Sequence, residues 1–147
     1  KMDLDDILEQ WSQDCEIEHK LDEASRNTPK LHAKYLGYLT QAKFLLKRTE
    51  DKQNILLKKK WLWFNGKMTQ EEIRFLNWAD DPFDGLKVMK GDLKYYVESD
   101  PEIIESESRV YYYKTMIETL KEMVDTLKWR HQTVKNIIEA RKFEAGV

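Results

Sequence analysis

No glycine or proline occurs between Pro101 and Gly146. A run that long without a backbone breaker predicts one continuous helix over about 101–143. Asp100-Pro101-Glu102 supplies its start: Asp100 can cap, Pro101 suits the first helical position, and Glu102 meets the positive end of the dipole. The apolar pattern along it repeats every seven residues. Ile103, Val110, Ile117, Val124, His131 and Ile138 hold the first core position of each repeat, and Ser106, Tyr113, Leu120, Leu127, Val134 and Arg141 hold the second. After Tyr113, β-branched residues at the first position with Leu or Val at the second describe a coiled-coil seam. Lysines 114, 121, 128 and 135 flank it, while Met116, Met123 and Ile137 widen it. Val110, Ile117, Leu120, Val124, Leu127, Val134 and Ile138 are therefore the expected assembly residues. Such a seam can pack on another helix of the same chain, and its width suggests contact with a second subunit. The plainer alternative is a helical hairpin in a monomer. His131 in this seam reads as a register-setting or interface polar group, not a ligand.

The rest of the chain is also helical in pattern. Leu4, Ile7, Leu8, Trp11 and Cys15 predict a short amphipathic helix over 3–16. Ser25, Asn27, Thr28 and Pro29 mark a break, or a kink in a longer helix. From Pro29 the periodicity runs through Tyr35, Tyr38, Ala42, Leu45, Leu56 and Trp63 to a stop at Asn65-Gly66. That helix would be about 50 Å long, and needs a partner along its length. Thr69 followed by Glu72 is a capping-box signature for a short helix through Trp78. Asp80, Asp81, Pro82, Asp84 and Gly85 form a loop, and 86–99 reads equally as extended pieces or a helical turn. The expectation is an all-α chain of 147 residues folding as a single domain: a basic helix at about 29–66, an acidic connector at 67–99 and the heptad helix. With only 5 Gly and 3 Pro, a β-sandwich or doubly wound sheet is disfavoured. An apolar share of 41% is too high for a disordered chain, yet no stretch is apolar enough to span a bilayer. The single cysteine excludes an internal disulfide, and no signal-peptide pattern opens the sequence, so an intracellular protein is expected.

The net charge of −2 hides an asymmetry. By segment the net is −5 over 1–30, +7 over 31–67, −6 over 68–109 and +2 over 110–147. One basic block between acidic ones suggests a local polyanion site, against the plainer reading of a solvated helix face. Catalytic signatures are missing. Gly66-Lys67 lacks the earlier glycine and the following Ser or Thr of a phosphate-binding loop. His19, His32 and His131 form no metal-ligand pattern, Cys15 and His19 being at most a two-ligand pair. No cofactor fingerprint is present. The enzyme alternative is a metal-dependent nuclease built on Asp80, Asp81 and Asp84, and a solvated loop explains those residues more simply.

The informative stretch is Leu57 to Lys67, LKKKWLWFNGK, with Lys43, Lys47, Arg48 and Lys52 upstream. Lysines displace counterions from a phosphate backbone without sequence preference. Aromatic faces stack unpaired bases, so the combination favours single strands over duplex. Lys52, Lys58, Lys59, Lys60, Trp61 and Lys67 are the expected strand contacts. Lys52, Lys59 and Trp63 fall near one helix face, and Lys60, Phe64 and Lys67 near another. Consecutive lysines cannot all face one way. Trp63 extends the apolar stripe and reads as core or as surface, whereas Trp61 reads as surface.

These residues resemble the lysine-rich aromatic segment of the UvsY-like recombination mediators of T-even-type bacteriophages. The chain's end agrees through Lys128, Arg130, Lys135, Ile137, Arg141 and Phe143-Glu144-Ala145-Gly146, and Leu31 to Leu36 fits the pattern before the basic helix. The resemblance covers about 1–66 and 100–147, whereas 67–99 departs from it, and tryptophans stand at 61 and 63 where the simpler version has tyrosine. It implies a non-enzymatic, cofactor-free protein that binds single-stranded DNA. Such a protein helps a RecA-like recombinase of the UvsX type nucleate on strand coated by single-strand-binding protein. It implies a ring-like homo-oligomer, hexamer or heptamer, assembled through the C-terminal region, in the cytoplasm of the infected bacterial host. The family's DNA contacts fall on Lys58 and Lys60, with Lys59 an extra charge. The alternative is a coiled-coil structural adaptor without DNA affinity.

Overall fold

The computed structural model describes residues 2–16 and 21–146, without the side chains of 21–25. His19 lies outside the described residues. All regular elements among them are helical: α1 (Leu4–Asp14), α2 (Leu21–Phe64), α3 (Gln70–Leu76), a 3₁₀ turn (Lys90–Asp92), α4 (Leu93–Glu98) and α5 (Pro101–Glu144). Among the described residues no helix is long and apolar enough to cross a membrane. Residues 1–45 with 113–147 form one compact unit and 46–112 another.

Local chemistry sets the helix ends. Asp3 caps α1 by accepting from the Asp5 N–H at 2.9 Å, and Thr69 caps α3 by accepting from the Glu72 N–H at 3.2 Å. α2 closes on Gly66, whose φ of 67° is the left-handed conformation glycine adopts without strain. The Gly66 and Lys67 N–H groups then reach back to the Trp63 and Leu62 carbonyls. Asn77 closes α3 the same way, at φ 61°. Pro29 neither breaks α2 nor starts it. The helix begins eight residues earlier, at Leu21, and carries Pro29 inside. The cost is the backbone hydrogen bond that Pro29 cannot donate and the crowding of its ring on the carbonyl four residues earlier, about 3 kcal/mol together. The ambiguous stretch 86–99 is helical in its second half.

In the first unit α1 packs on α2. Trp11 meets Tyr35 edge-on at 5.1 Å, and the Tyr38 hydroxyl donates to Gln10 at 3.0 Å. Asp14, the last residue of α1, accepts from Lys34 at 2.6 Å and from the Tyr35 hydroxyl at 2.9 Å. Partial burial pushes the Asp14 carboxyl up, but those two donors outweigh it and hold it below the usual carboxylate range. Burial, and then the facing Asp14, pushes the Tyr35 hydroxyl well up. From α5, Arg130 donates to the Asp14 carbonyl at 2.6 Å and the Glu16 carbonyl at 3.0 Å, satisfying acceptors at the end of α1.

The heptad seam is consumed inside the chain. Ile103, Val110, Ile117, Leu120, Val124, Leu127 and Val134 are all buried within one copy, and Ile138 is half-buried. The seven residues read as assembly contacts are thus mainly core. The stripe also drifts. Met116, Met123 and Arg130 are buried, while His131, the expected core position, is exposed. The slip of a straight helix against a 3.5 repeat, about 20° per heptad, would carry the inward face forward, toward 132. The shift to Arg130 runs the other way and follows its packing partners, the carbonyls at the end of α1.

Candidate nucleic-acid interface

In the second unit the end of α2 runs antiparallel to the start of α5. Gln53 donates to Ser106 at 3.4 Å, and Lys60 meets Asp100 and Glu102. The inward face of α2 carries Leu56, Lys60 and Phe64, so two members of the face predicted to hold Lys60, Phe64 and Lys67 point to the core. Phe64 stacks with Phe83 at 5.9 Å, and Phe83 meets Tyr96 at 5.0 Å.

Lys60 corrects the sequence expectation most sharply. Read as a strand contact, it is 3% exposed. Its ammonium lies 3.0 Å from Asp100 Oδ2 and 3.4 Å from Glu102 Oε1. It also sits 4.6 Å from the Trp63 ring centroid and 3.9 Å from that of Trp78. The tryptophans are held in turn: Trp63 donates its indole N–H to the Ala79 carbonyl at 2.8 Å, and Trp78 donates to Glu102 at 2.7 Å. A buried ammonium needs such pairing, because desolvation alone would cost several kcal/mol.

The opposite side of the same helix is open. Lys52, Ile55, Lys59 and Leu62 recur at spacings of three and four, which brings them to one face. Ile55, Lys58, Lys59 and Leu62 line a groove of about 390 Å³ with Lys67, Met68, Thr69 and Glu72 from the turn into α3. Among the described residues Lys52, Lys58 and Lys67 form no ion pair, and Lys59 reaches only Glu72, at 4.0 Å. Beside the groove Trp61 is 52% exposed, and the Lys67 ammonium lies 4.7 Å from its ring centroid. Cationic groups and an open aromatic face thus lie together, which suits a phosphate backbone with unpaired bases. Of the expected contacts, Lys58, Lys59 and Lys67 meet at the groove, Lys52 stands one to two turns along it, Trp61 flanks it and Lys60 is turned away. The sequence reading missed the apolar floor of Ile55, Leu62 and Met68. The three-and-four spacing through Ile55 and Leu62 was its only signal.

The acidic loop is built for itself. Asp81 accepts from the Phe83 N–H at 2.9 Å and the Gly85 N–H at 2.7 Å, using both carboxylate oxygens on the turn. Among the described residues no group of three or more His, Cys, Asp or Glu could hold a metal ion.

A family profile described as the recombination, repair and single-stranded-DNA-binding protein UvsY matches residues 10–147. The chain belongs to the UvsY family. The match includes residues 67–99, where the sequence resemblance lapsed. Crystal structures of the bacteriophage T4 recombination mediator protein UvsY share the fold. In one lattice the TM-score is 0.82 at 23% identity, covering 99% of both chains. In two others the TM-scores are 0.77 and 0.78 at 20% and 21% identity, covering 97% and 95% of this chain and 99% and 98% of theirs. No curated protein sequence matches the chain.

Proposed function

We propose that this UvsY-family chain is a non-enzymatic recombination mediator that grips single-stranded DNA in the groove beside Trp61. Lys58, Lys59 and Lys67 neutralise phosphates there, Lys52 extends the track, and Trp61 stacks a base. The observation that carries this reading is the open groove whose lysines are left largely unpaired while their neighbour Lys60 is spent on the core. Each such patch is weak. Self-association into a hexameric or heptameric ring multiplies it through effective concentration. A strand so held is offered to a RecA-like recombinase in place of single-strand-binding protein, and the exchange can shift only by the mediator's differential affinity for the two states. The T4 relative's description as a recombination mediator supports this role.

The heptad residues are occupied within the copy, so the ring contacts we propose use what α5 leaves outside: Trp129, 73% exposed, and Phe143, 86% exposed. The half-buried Ile138 lies between them in sequence. The test is titration of a labelled oligonucleotide at two salt concentrations, with the particle mass measured by light scattering. We expect a large particle whose strand affinity falls steeply with salt and drops on Lys58→Ala with Lys67→Ala. A large particle with no affinity for the strand would point to the structural adaptor.

A further inference from the structure

We infer that Glu72 is a built-in competitor of the strand, a carboxylate that occupies Lys59 in the groove and sets how tightly phosphate is held there. Glu72 lies in the first turn of α3, and its carboxylate lines the same groove as Lys58, Lys59 and Lys67. Its Oε1 is 4.0 Å from the Lys59 ammonium, and both side chains are part-exposed. Thr69 caps the helix by accepting from the Glu72 backbone N–H, and among the described residues the Glu72 carboxylate accepts no hydrogen bond in return. The sole acid in a groove with three lysines therefore stands where an incoming phosphate oxygen would stand. Ion pairs this exposed are weak, so the carboxylate yields to a phosphate while subtracting from its affinity. For a protein that must take up strand and then give it over, a discounted grip is the useful one.

This inference rests on the groove being the strand site, and the experiment separates the two. Binding of a labelled oligothymidine is measured for the wild type, Glu72→Gln, Lys59→Ala and the double variant, across a salt series. Circular dichroism establishes that each is folded. Glu72→Gln should bind about two- to fivefold more tightly, the range an exposed ion pair covers. Its dependence of log affinity on log salt should steepen by up to about 0.7, the share of one phosphate on a single strand. In the Lys59→Ala background the gain should vanish, because the competitor then has nothing to compete for. If wild-type binding is salt-sensitive but Glu72→Gln binds no better, or its gain survives Lys59→Ala, the competitor role is overturned while the groove stands. If the wild type shows no salt-sensitive binding, the groove reading falls and this inference with it.

Discussion

Asp100 holds Lys60 with one carboxylate oxygen and caps α5 with the other. Oδ2 lies 3.0 Å from the ammonium, while Oδ1 accepts from the Glu102 and Ile103 N–H groups at 3.0 and 3.1 Å. A single side chain thereby fixes both the start of α5 and the inward lysine of α2. Lys60→Met should cost about 3 kcal/mol of stability, the low end for a broken buried pair because the cap still satisfies part of Asp100. Denaturant unfolding measures it. The salt dependence of strand binding should stay that of the wild type under conditions where the variant is folded.

Trp61 is about half exposed and joins no ring cluster among the described residues, so its removal should cost little stability. Trp61→Ala should weaken oligonucleotide binding by about 1–3 kcal/mol, the worth of one stacked base, without altering the salt slope. Lys58→Ala and Lys67→Ala should each flatten that slope by about 0.7. Anisotropy titrations across a salt series distinguish the aromatic from the ionic contribution.

The two faces of α5 should separate folding from assembly. Leu120→Ala or Leu127→Ala removes a fully buried side chain and should cost about 2–5 kcal/mol in unfolding. Trp129→Ser with Phe143→Ser should leave the unfolding midpoint near its original value and lower the particle mass seen by light scattering. Loss of mass on the leucine variants alone would place assembly on the seam.

Asp14 ties part of the stability to pH. Its carboxyl is held below its unfolded value of 3.8, so its contribution is present above that pH and is lost as the pH falls through the lower folded value. Asp14→Asn should reduce stability at neutral pH and flatten the acid limb of a melting-temperature profile below about pH 4.

The helix ends were legible because they depend on neighbours in sequence. Thr69, Asn65-Gly66 and Asp100-Pro101 each act within a turn of their own position. What escaped depends on distant residues. Three consecutive lysines fan round the helix by about 100° each, so they cannot share one face, but the sequence does not say whether one turns inward or which. The choice of Lys60 is made by Asp100 and Glu102, about forty positions away. The heptad pattern likewise announced a seam but not its departure at Arg130, which the carbonyls at the end of α1 hold in the core while His131 stays in solvent. Pro29 left break and longer helix both open, because its cost of about 3 kcal/mol is local while what offsets it is the packing of a helix of 44 residues.

The aromatic arrangement around Lys60 gives the protein an optical reporter of its own. Trp63 and Trp78 stand 5.2 Å apart against the ammonium, whereas Trp61 faces water. With the still more exposed Trp129 replaced by Phe, a base settling on Trp61 should quench the red side of the intrinsic emission and leave the half-buried pair glowing as before. Occupancy of the groove can then be followed in unlabelled material, in real time, during strand transfer to a recombinase.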